Sequence, residues 1–321
     1  MLKLRSVMKM FSVGLLVAGA GVASGQNYPN KPVRMVTAAP GAAGDFVARV
    51  VALGLIDSWG QQVIVENRGG SGVIPIEIVA KALPDGYTLL VFGSTLWLLP
   101  FIQKVSYNPV SDFSPITLAA ITPLLLVVHP SLPVKSITEL IALAKSKPGE
   151  LNYASGISGS ATHLPAELFK AMAGVNIVRV AYKGGAPAIS ALIGGEVQVM
   201  FATSSGAAPH VKSGRMRALA VTSAQPSALF PDLPTVAASG LPGYDAASIM
   251  CIFAPAKTPA ALVGRLNREI VRVLNKADVK ERFFKAGSEV VANSPEQLAA
   301  TIKADMATMG KVIKDAGIRA Q

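Results

Sequence analysis

The strongest constraint on the fold is an alternation of short apolar runs with amphipathic helical patterns. Strand-like runs at residues 33–36, 63–66 and 88–92 alternate with helical patterns at residues 46–58 and 74–82. This βαβαβ order predicts an α/β fold with a mostly parallel sheet covered by helices on both faces. In such sheets, ligands bind at the carboxyl ends of the strands.

The alternation starts again at residue 123, which predicts a second lobe. Its strand-like runs read LLLVVHP, LNYAS, IVRVAY, VQVMFA and MRALAVT, and its helical patterns lie at residues 137–146, 161–173 and 186–193. A Pro- and Gly-rich segment after residue 225 is typical of a return connection. The strand-like run SIMCIFAP could then rejoin the first sheet, and two helical patterns follow at residues 260–274 and 295–316. The predicted lobes are residues 26–122, residues 123–225, and residues 226–321 returning to the first lobe, with the lobe of the C-terminal helices left open.

The first 25 residues have the pattern of a signal peptide. Lys3, Arg5 and Lys9 precede the apolar run FSVGLLVAGAGVA, and small residues follow it. The run is too short to span a bilayer. We therefore predict cleavage near Ser24 or Gly25 and a periplasmic mature protein. The alternative is a retained membrane anchor.

The charge balance leaves two interpretations open. Without the three basic residues of the leader, 27 Lys and Arg stand against 19 Asp and Glu, a formal net charge of +8. The basic residues are dispersed and lack interleaved aromatic residues, so nucleic acid is not an expected partner. The charge either attracts small anions or only keeps the protein soluble.

The usual catalytic and metal-binding patterns are absent from the sequence. The three histidines, His129, His163 and His210, form no metal-ligand spacing, and Cys251, the only cysteine, lies in an apolar run that predicts a buried thiol. No dinucleotide or P-loop fingerprint is present, so we predict no cofactor and no metal. A serine hydrolase using Ser158 or Ser160 with His163 is an alternative, although the loop does not match the GxSxG elbow.

Three loops of small residues follow predicted strands instead. They read APGAAGD, which ends at Asp45 where the helix begins, FGSTL after the third strand, and ASGISGSATH before the helical pattern at residue 161. A helix start offers unpaired backbone N–H groups, and small residues let an anion approach them. The alternative for each loop is a tight turn capped by Asp45, or by Ser160 or Thr162. The recurrence in two lobes favours a carboxylate clamp.

At these residues the chain resembles the Bug (TctC-like) family, the periplasmic receptors of tripartite tricarboxylate transport systems. The matching motifs cover most of the mature chain in order: YPNKPVRMV, PGAAGD, VENRGGSG, VAKALPDGYTLL, YASGISGSATHLPAELFKAMAG and VAYKGGAPAISALIGGEVQVMF. The resemblance implies a two-lobed, Venus-flytrap fold of the type II kind. It implies a non-enzymatic, monomeric receptor that delivers a small carboxylate to membrane transporter subunits. A ligand-presenting sensory role is the alternative.

The resemblance also implies which residues hold the ligand. In this family, backbone groups, hydroxyls and ordered waters from facing loops hold the carboxylate. The corresponding residues here are Pro40, Gly41, Ala42, Asp45 and Ser94 in the first lobe, and Ser155, Gly156, Ser160, Thr162, Tyr182, Lys183, Gly184 and Thr203 in the second. Asp45 is expected either to cap its helix or to meet a cationic group on the ligand.

The chain departs from the family pattern in its first loop. The family loop usually reads PPGG after an aromatic residue, whereas here Ala39-Pro40-Gly41-Ala42 follows Ala38, and Ala202 stands where an acid is common. With alanine at positions 38, 39, 42 and 43, this loop has fewer side-chain contacts to offer. We therefore expect the second lobe, around residues 155–162, to provide most of the specificity. The identity of the carboxylate is left open.

Overall fold

The computed structural model describes residues 28–69, 73–156 and 159–319. The predicted signal peptide and Ser158 lie outside the described residues. The strands are β1 (Val33–Thr37), β2 (Val63–Asn67), β3 (Thr88–Gly93), β4 (Phe113–Thr122), β5 (Leu124–Val128), β6 (Asn152–Ser155), β7 (Val178–Ala181), β8 (Val199–Thr203), β9 (Arg217–Val221), β10 (Ser248–Pro255) and β11 (Glu289–Val290). The helices are α1 (Ala43–Trp59), α2 (Val73–Ala80), α3 (Thr95–Ile102), α4 (Ile137–Ser146), α5 (Leu164–Ala173), α6 (Gly185–Ile193), α7 (Ser204–Lys212), α8 (Ala260–Leu274), α9 (Ala277–Lys285) and α10 (Pro295–Asp315).

The strands of the described chain form two sheets. The first has the order β11-β4-β10-β3-β1-β2, so β10 rejoins the first sheet as its sequence predicts. The second has the order β7-β6-β8-β5-β9.

Both sheets are mixed rather than mostly parallel, which corrects that part of the prediction. The trios β2-β1-β3 and β7-β6-β8 are parallel, as βαβ units require. Strand β10 runs antiparallel to both β3 and β4 in the first sheet, and β5 runs antiparallel to both β8 and β9 in the second. These are the strands next to the crossovers between the sheets, where the chain reverses its direction.

The crossovers leave both sheets at the carboxyl ends of the parallel strands. Only Pro123 separates β4 from β5. The end of β4, Thr122, pairs with the start of β10, and the start of β5, Leu124, pairs with the end of β8. Thr222 ties the crossovers together, because its Oγ1 accepts a hydrogen bond from the Leu124 N–H and its carbonyl accepts one from the Ala246 N–H. The loops after the parallel strands of both lobes therefore flank the connection between them.

The C-terminal helices pack on the first sheet, which resolves the lobe that the sequence left open. Helix α8 packs between α1 and β4, and α10 packs on β4 and α3 and also reaches α5 of the second lobe. One buried cluster runs through α3, α5 and α10 and includes Trp97, Ile102, Phe169, Ile302 and Ile313. The two lobes therefore share part of their hydrophobic core.

Several elements were not predicted, and internal prolines explain three of them. Pro115 lies inside β4, next to an irregularity in its pairing with β10. Pro100 lies inside α3 and Pro209 inside α7, where proline removes a helical donor. The short α9 and β11 were also missed. No helix among the described residues is long and apolar enough to cross a membrane.

Candidate functional site

The candidate residues lie on loops at the carboxyl ends of the parallel strands. In the first lobe, residues 38–42 follow β1 and Ser94 follows β3. In the second lobe, Gly156 and residues 159–163 follow β6, residues 182–184 follow β7, and Thr203 ends β8. The second-lobe loop also contacts the first lobe, since a Cβ on Gly159 would lie 2.7 Å from Cδ1 of Ile102, at the end of α3. These residues therefore lie at adjoining edges of the two sheets.

The loop after β1 presents an open helix start. Helix α1 begins at Ala43 instead of the predicted Phe46, and no side chain of its N-cap residue, Ala42, bonds to it. Pro40 and Gly41 are exposed, and Gly41 has a φ of +77°, which glycine adopts without strain. A Cβ on Gly41 would meet no atom within 4 Å. The first-turn N–H groups have no intrahelical acceptor and lie at the positive end of the helix dipole, so they can bind an anion.

Asp45 holds this loop in place. Its carboxylate accepts hydrogen bonds from the Gly41 N–H and from Asn67 Nδ2, both at 2.9 Å, and pairs with Arg49 Nε at 2.9 Å. The hydrogen bond from Arg49, aided by those from Gly41 and Asn67, lowers the pKa of the Asp45 carboxyl to about 2. Asn67 Nδ2 also donates to the Ala38 carbonyl. Asp45 is therefore buried and bound within the protein, and it reaches back to the loop instead of serving as the N-cap.

A glycine brings the start of α1 close to the sheet. The Thr37 hydroxyl donates to the Val91 carbonyl at 2.9 Å, which joins β1 to β3 beneath the helix. A Cβ on Gly44 would lie 2.4 Å from Thr37 Oγ1. A side chain at position 44 therefore requires either a shift of the helix start or a rotation of the Thr37 side chain.

Ser94 occupies the N-cap position of α3. It is half-buried, and its side chain makes no capping hydrogen bond to the helix. Its hydroxyl is therefore not engaged by the helix that it precedes, and it lies at the same sheet edge as the loop after β1.

The loop after β6 is organised by buried polar side chains. Arg179 Nε donates to Ser155 Oγ and Arg179 Nη2 donates to the Gly156 carbonyl, both at 2.8 Å. Thr162 Oγ1 accepts from the Gly156 N–H at 2.8 Å and lies 3.2 Å from Ser160 Oγ. Ser155 is fully buried and Thr162 nearly so, whereas Ser160 is half-buried. Ser160 therefore has the most accessible hydroxyl of the three.

Helix α5 begins at Leu164 instead of the predicted Ala161, so its N-cap is His163 and neither Ser160 nor Thr162 caps it. The capping alternative for this loop is wrong. The N–H groups of His163 and Leu164 both donate to the Ser160 carbonyl, and Pro165 has no N–H. The start of α5 therefore offers fewer donors to an anion than the start of α1.

The His163 ring is buried beneath the loop. Its Nδ1 accepts from the Gly159 N–H at 3.0 Å, and its Nε2 lies 3.8 Å from Glu167 Oε1. Burial, followed by the charge of Arg179, lowers the pKa of His163 to about 4, so the ring is neutral at pH 7. Because Nδ1 is bonded to the loop backbone, His163 is not arranged as a base for Ser160.

The remaining candidates lie at the ends of β7 and β8. The Tyr182 N–H donates to the Ser155 carbonyl and its hydroxyl donates to Glu196 Oε2, so this side chain is held by the turn after α6. A Cβ on Gly184 would meet no atom within 4 Å. Thr203 is the N-cap of α7, and its side chain makes no capping hydrogen bond. Ligand contact at these positions stays a prediction.

The described residues contain no metal-binding cluster, and the thiol among them is buried. Within residues 28–69, 73–156 and 159–319, no group of three or more His, Cys, Asp or Glu side chains could hold a metal ion. Cys251 is fully buried, as predicted, and its burial raises the pKa of the thiol.

Comparison with known proteins identifies related receptors. A family model described as the tripartite tricarboxylate transporter family receptor matches residues 47–318. The protein BugT of Bordetella pertussis is 36% identical over 315 residues, which are 96% of this chain and 97% of BugT. These matches confirm the family resemblance drawn from the sequence motifs.

Solved structures of similar proteins contain small dicarboxylates. Rpa4515 of R. palustris, solved with adipate, is 35% identical with a TM-score of 0.73, and the match covers 92% of this chain and all of that one. MatC of Rhodopseudomonas palustris, solved with bound malate, is 29% identical with a TM-score of 0.70, covering 89% of this chain and all of MatC. The likeness confirms the predicted two-lobed α/β fold of a periplasmic binding protein.

Proposed function

Because the chain belongs to the family of tripartite tricarboxylate transporter receptors, we propose that it is a periplasmic receptor that binds a small organic carboxylate between its lobes. The observation that carries the proposal is that small-residue loops follow the parallel strands of both sheets, on the edges that the crossovers join. The similar proteins solved with adipate and malate support a dicarboxylate of about that size.

The first lobe is proposed to anchor one carboxylate. The first-turn amides of α1 lie behind the exposed Gly41, where a side chain would find open space. An anion at this point gains hydrogen bonds and the favourable end of the helix dipole without a cationic side chain. The hydroxyl of Ser94, at the same edge, is a further donor.

The second lobe is proposed to complete the site from the opposite side. Ser160 and Thr203 carry hydroxyls at the ends of β6 and β8, and Gly184 leaves space at the end of β7. Binding would select the closed arrangement of the lobes, since only that arrangement contacts the ligand from both sides. The crossovers at Pro123 and Thr222 are the proposed hinges.

The remaining assignments follow from the family. We propose that the mature chain is exported after cleavage near residue 25, acts as a monomer without a cofactor, and passes its ligand to membrane subunits of a tripartite transporter. The proposed lobes are residues 26–122 with 226–321, and residues 123–225. The strand orders support the return of residues 248–290 to the first lobe, since β10 pairs with β3 and β4 and β11 pairs with β4. The family consists of transport receptors, so we propose no catalytic activity for the chain.

Isothermal titration of the mature protein with a panel of mono-, di- and tricarboxylates tests the proposal. Adipate and malate represent apolar and hydroxylated dicarboxylates, and the diamide of adipate is the matched uncharged control. We expect micromolar or tighter binding of at least one dicarboxylate and none of the diamide. If no carboxylate binds more tightly than millimolar, the proposal fails.

A further inference from the structure

The loop after β6 depends on one cation that sequence reasoning missed. Arg179 lies on β7, directly beside Tyr153 of β6 in the strand register. Its guanidinium extends to the end of β6, where Nε donates to the buried Ser155 hydroxyl and Nη2 donates to the Gly156 carbonyl. One planar group therefore holds both the last residue of the strand and the first residue of the loop.

We propose that Arg179 is a positioning residue for ligand binding, which fixes the second-lobe loop from behind without touching the ligand. The inference rests on the proposed function and deepens it. The family resemblance implies that Ser155 contacts the ligand. Ser155 is fully buried and accepts a hydrogen bond from Arg179, so in this proposal it links Arg179 to the loop.

The position of the loop follows from a chain of contacts that begins at Arg179. The guanidinium holds Gly156 by its carbonyl, and the Gly156 N–H is held by Thr162 Oγ1. Thr162 Oγ1 in turn contacts Ser160 Oγ at 3.2 Å, and the Ser160 hydroxyl is more accessible than those of Ser155 and Thr162. Loss of the guanidinium would therefore release the Ser160 hydroxyl from its position at the site.

The guanidinium geometry is specific to arginine. Two donors on one rigid plane satisfy two acceptors at once, whereas the ammonium of lysine is a single point on a flexible stem. We therefore expect Arg179→Lys to retain part of the effect and Arg179→Ala to lose it.

Arg217 provides a matched control on the same sheet. It lies at the start of the edge strand β9, and its Nη1 donates to the carbonyls of Leu132 and Val134 at 3.1 and 3.0 Å. Arg217 pairs with Val128, at the end of β5, whereas the start of β5 pairs with Thr203. Arg217 therefore binds loop carbonyls in a similar way at the sheet edge opposite to the candidate site.

The experiment measures adipate and malate affinities by titration, and thermal unfolding, for the mature wild type, Arg179→Ala, Arg179→Lys and Arg217→Ala. Hydrogen bonds from a charged donor justify an expected loss of about tenfold in affinity for Arg179→Ala. Arg179→Lys should weaken binding less, and Arg217→Ala should lower the melting temperature but change affinity by less than about twofold. Ethylguanidinium should restore affinity to Arg179→Ala, and ethylammonium should not.

The outcomes separate the inference from the proposed function. If wild type binds a dicarboxylate and Arg179→Ala binds it equally well, the positioning role is overturned and the proposed function stands. Equal affinity losses in Arg179→Ala and Arg217→Ala also overturn it, since they would reflect general destabilisation. If wild type binds none of the carboxylates, the proposed function fails and the inference falls with it. If Arg179→Ala does not fold, Arg179→Lys provides the test. A lysine variant that is less stable than wild type but binds the dicarboxylate with unchanged affinity would overturn the positioning role.

Discussion

The small-residue loop of the first lobe, after β1, and that of the second lobe, after β6, are built in opposite ways. The first-lobe loop is exposed and is held from outside by an ion pair, in which the Arg49 side chain is 56% exposed and the Asp45 side chain 8%. The second-lobe loop is held from within by Ser155, Thr162 and His163, all buried. The first loop leaves helix amides open. In the second loop, the Gly156 and Gly159 amides donate to the side chains of Thr162 and His163.

This difference assigns different tasks to the lobes. A set of open amides at a helix start binds any carboxylate, because the hydrogen bonds carry no information about the rest of the ligand. The second loop already uses its Gly156 and Gly159 amides, so it has fewer amides for a carboxylate, and its side chains and shape can discriminate between ligands. The geometry supports the proposal that the first lobe anchors the carboxylate and the second lobe selects the ligand.

The largest expected loss of stability comes from adding a side-chain atom where the start of α1 lies against the sheet. Gly44→Ala places a Cβ 2.4 Å from Thr37 Oγ1, so either the helix start moves or the Thr37–Val91 hydrogen bond breaks. We expect a loss of about 3 kcal/mol in the free energy of unfolding. Urea denaturation measures it. Gly184→Ala in the second lobe, where no atom lies within 4 Å, is the control and should be near neutral. An unchanged midpoint for Gly44→Ala contradicts this account.

The buried His163 gives the second loop a dependence on pH. The pKa of His163 is about 4 in the folded protein and near 6.5 when unfolded, so between these values only the unfolded chain takes up the proton. Stability is therefore lost as the pH falls from 6.5 to 4, by roughly 1–3 kcal/mol. His163→Asn keeps an acceptor near Nδ1 and cannot titrate.

Denaturation of wild type and His163→Asn at several pH values checks this prediction. The difference between their stabilities should change between pH 6.5 and 4 and be constant above pH 7. If the stability curves of the two proteins run parallel across that pH range, burial of the neutral ring does not contribute to the pH dependence of stability.

The ion pair of the first loop should depend on pH in a lower range. Asp45→Asn removes the charge that binds Arg49 and weakens the hold on Gly41, with an expected loss of about 1 kcal/mol. The folded-state pKa of about 2 lies below the unfolded value of 3.8, so the contribution is present above pH 4 and is lost as the pH falls to 2.

An exposed pair of the same spacing provides the control for Asp45→Asn. Asp278 and Arg282 are also four residues apart, but they lie 3.8 Å apart and both side chains are more than half exposed. Asp278→Asn should therefore change stability little. Thermal unfolding at pH 7 compares the two variants, and equal losses would show that burial of Asp45 adds nothing.

The sequence predicted elements better than it predicted contacts. Helix α8 and strand β10 have the predicted bounds because their apolar patterns are strong and proline stands only at their boundaries, at Pro255 and Pro259. The loops were predicted as candidate sites from their small residues. The roles of Arg179 and Asn67 were not, because each depends on a partner more than twenty residues away, and one sequence does not reveal which side chains meet across strands.

The smallest predicted effect tests whether the second loop is satisfied internally. Thr162→Val keeps the shape of the side chain but leaves the buried Gly156 N–H without its acceptor, whereas Thr162→Ser retains the hydroxyl. We expect a loss of roughly 0.5–1.5 kcal/mol for the valine variant and less for serine. Hydrogen exchange at the Gly156 amide should quicken only in the valine variant. If both variants exchange at the wild-type rate, Thr162 does not hold the loop, and the contrast between an open first loop and a closed second loop loses its basis.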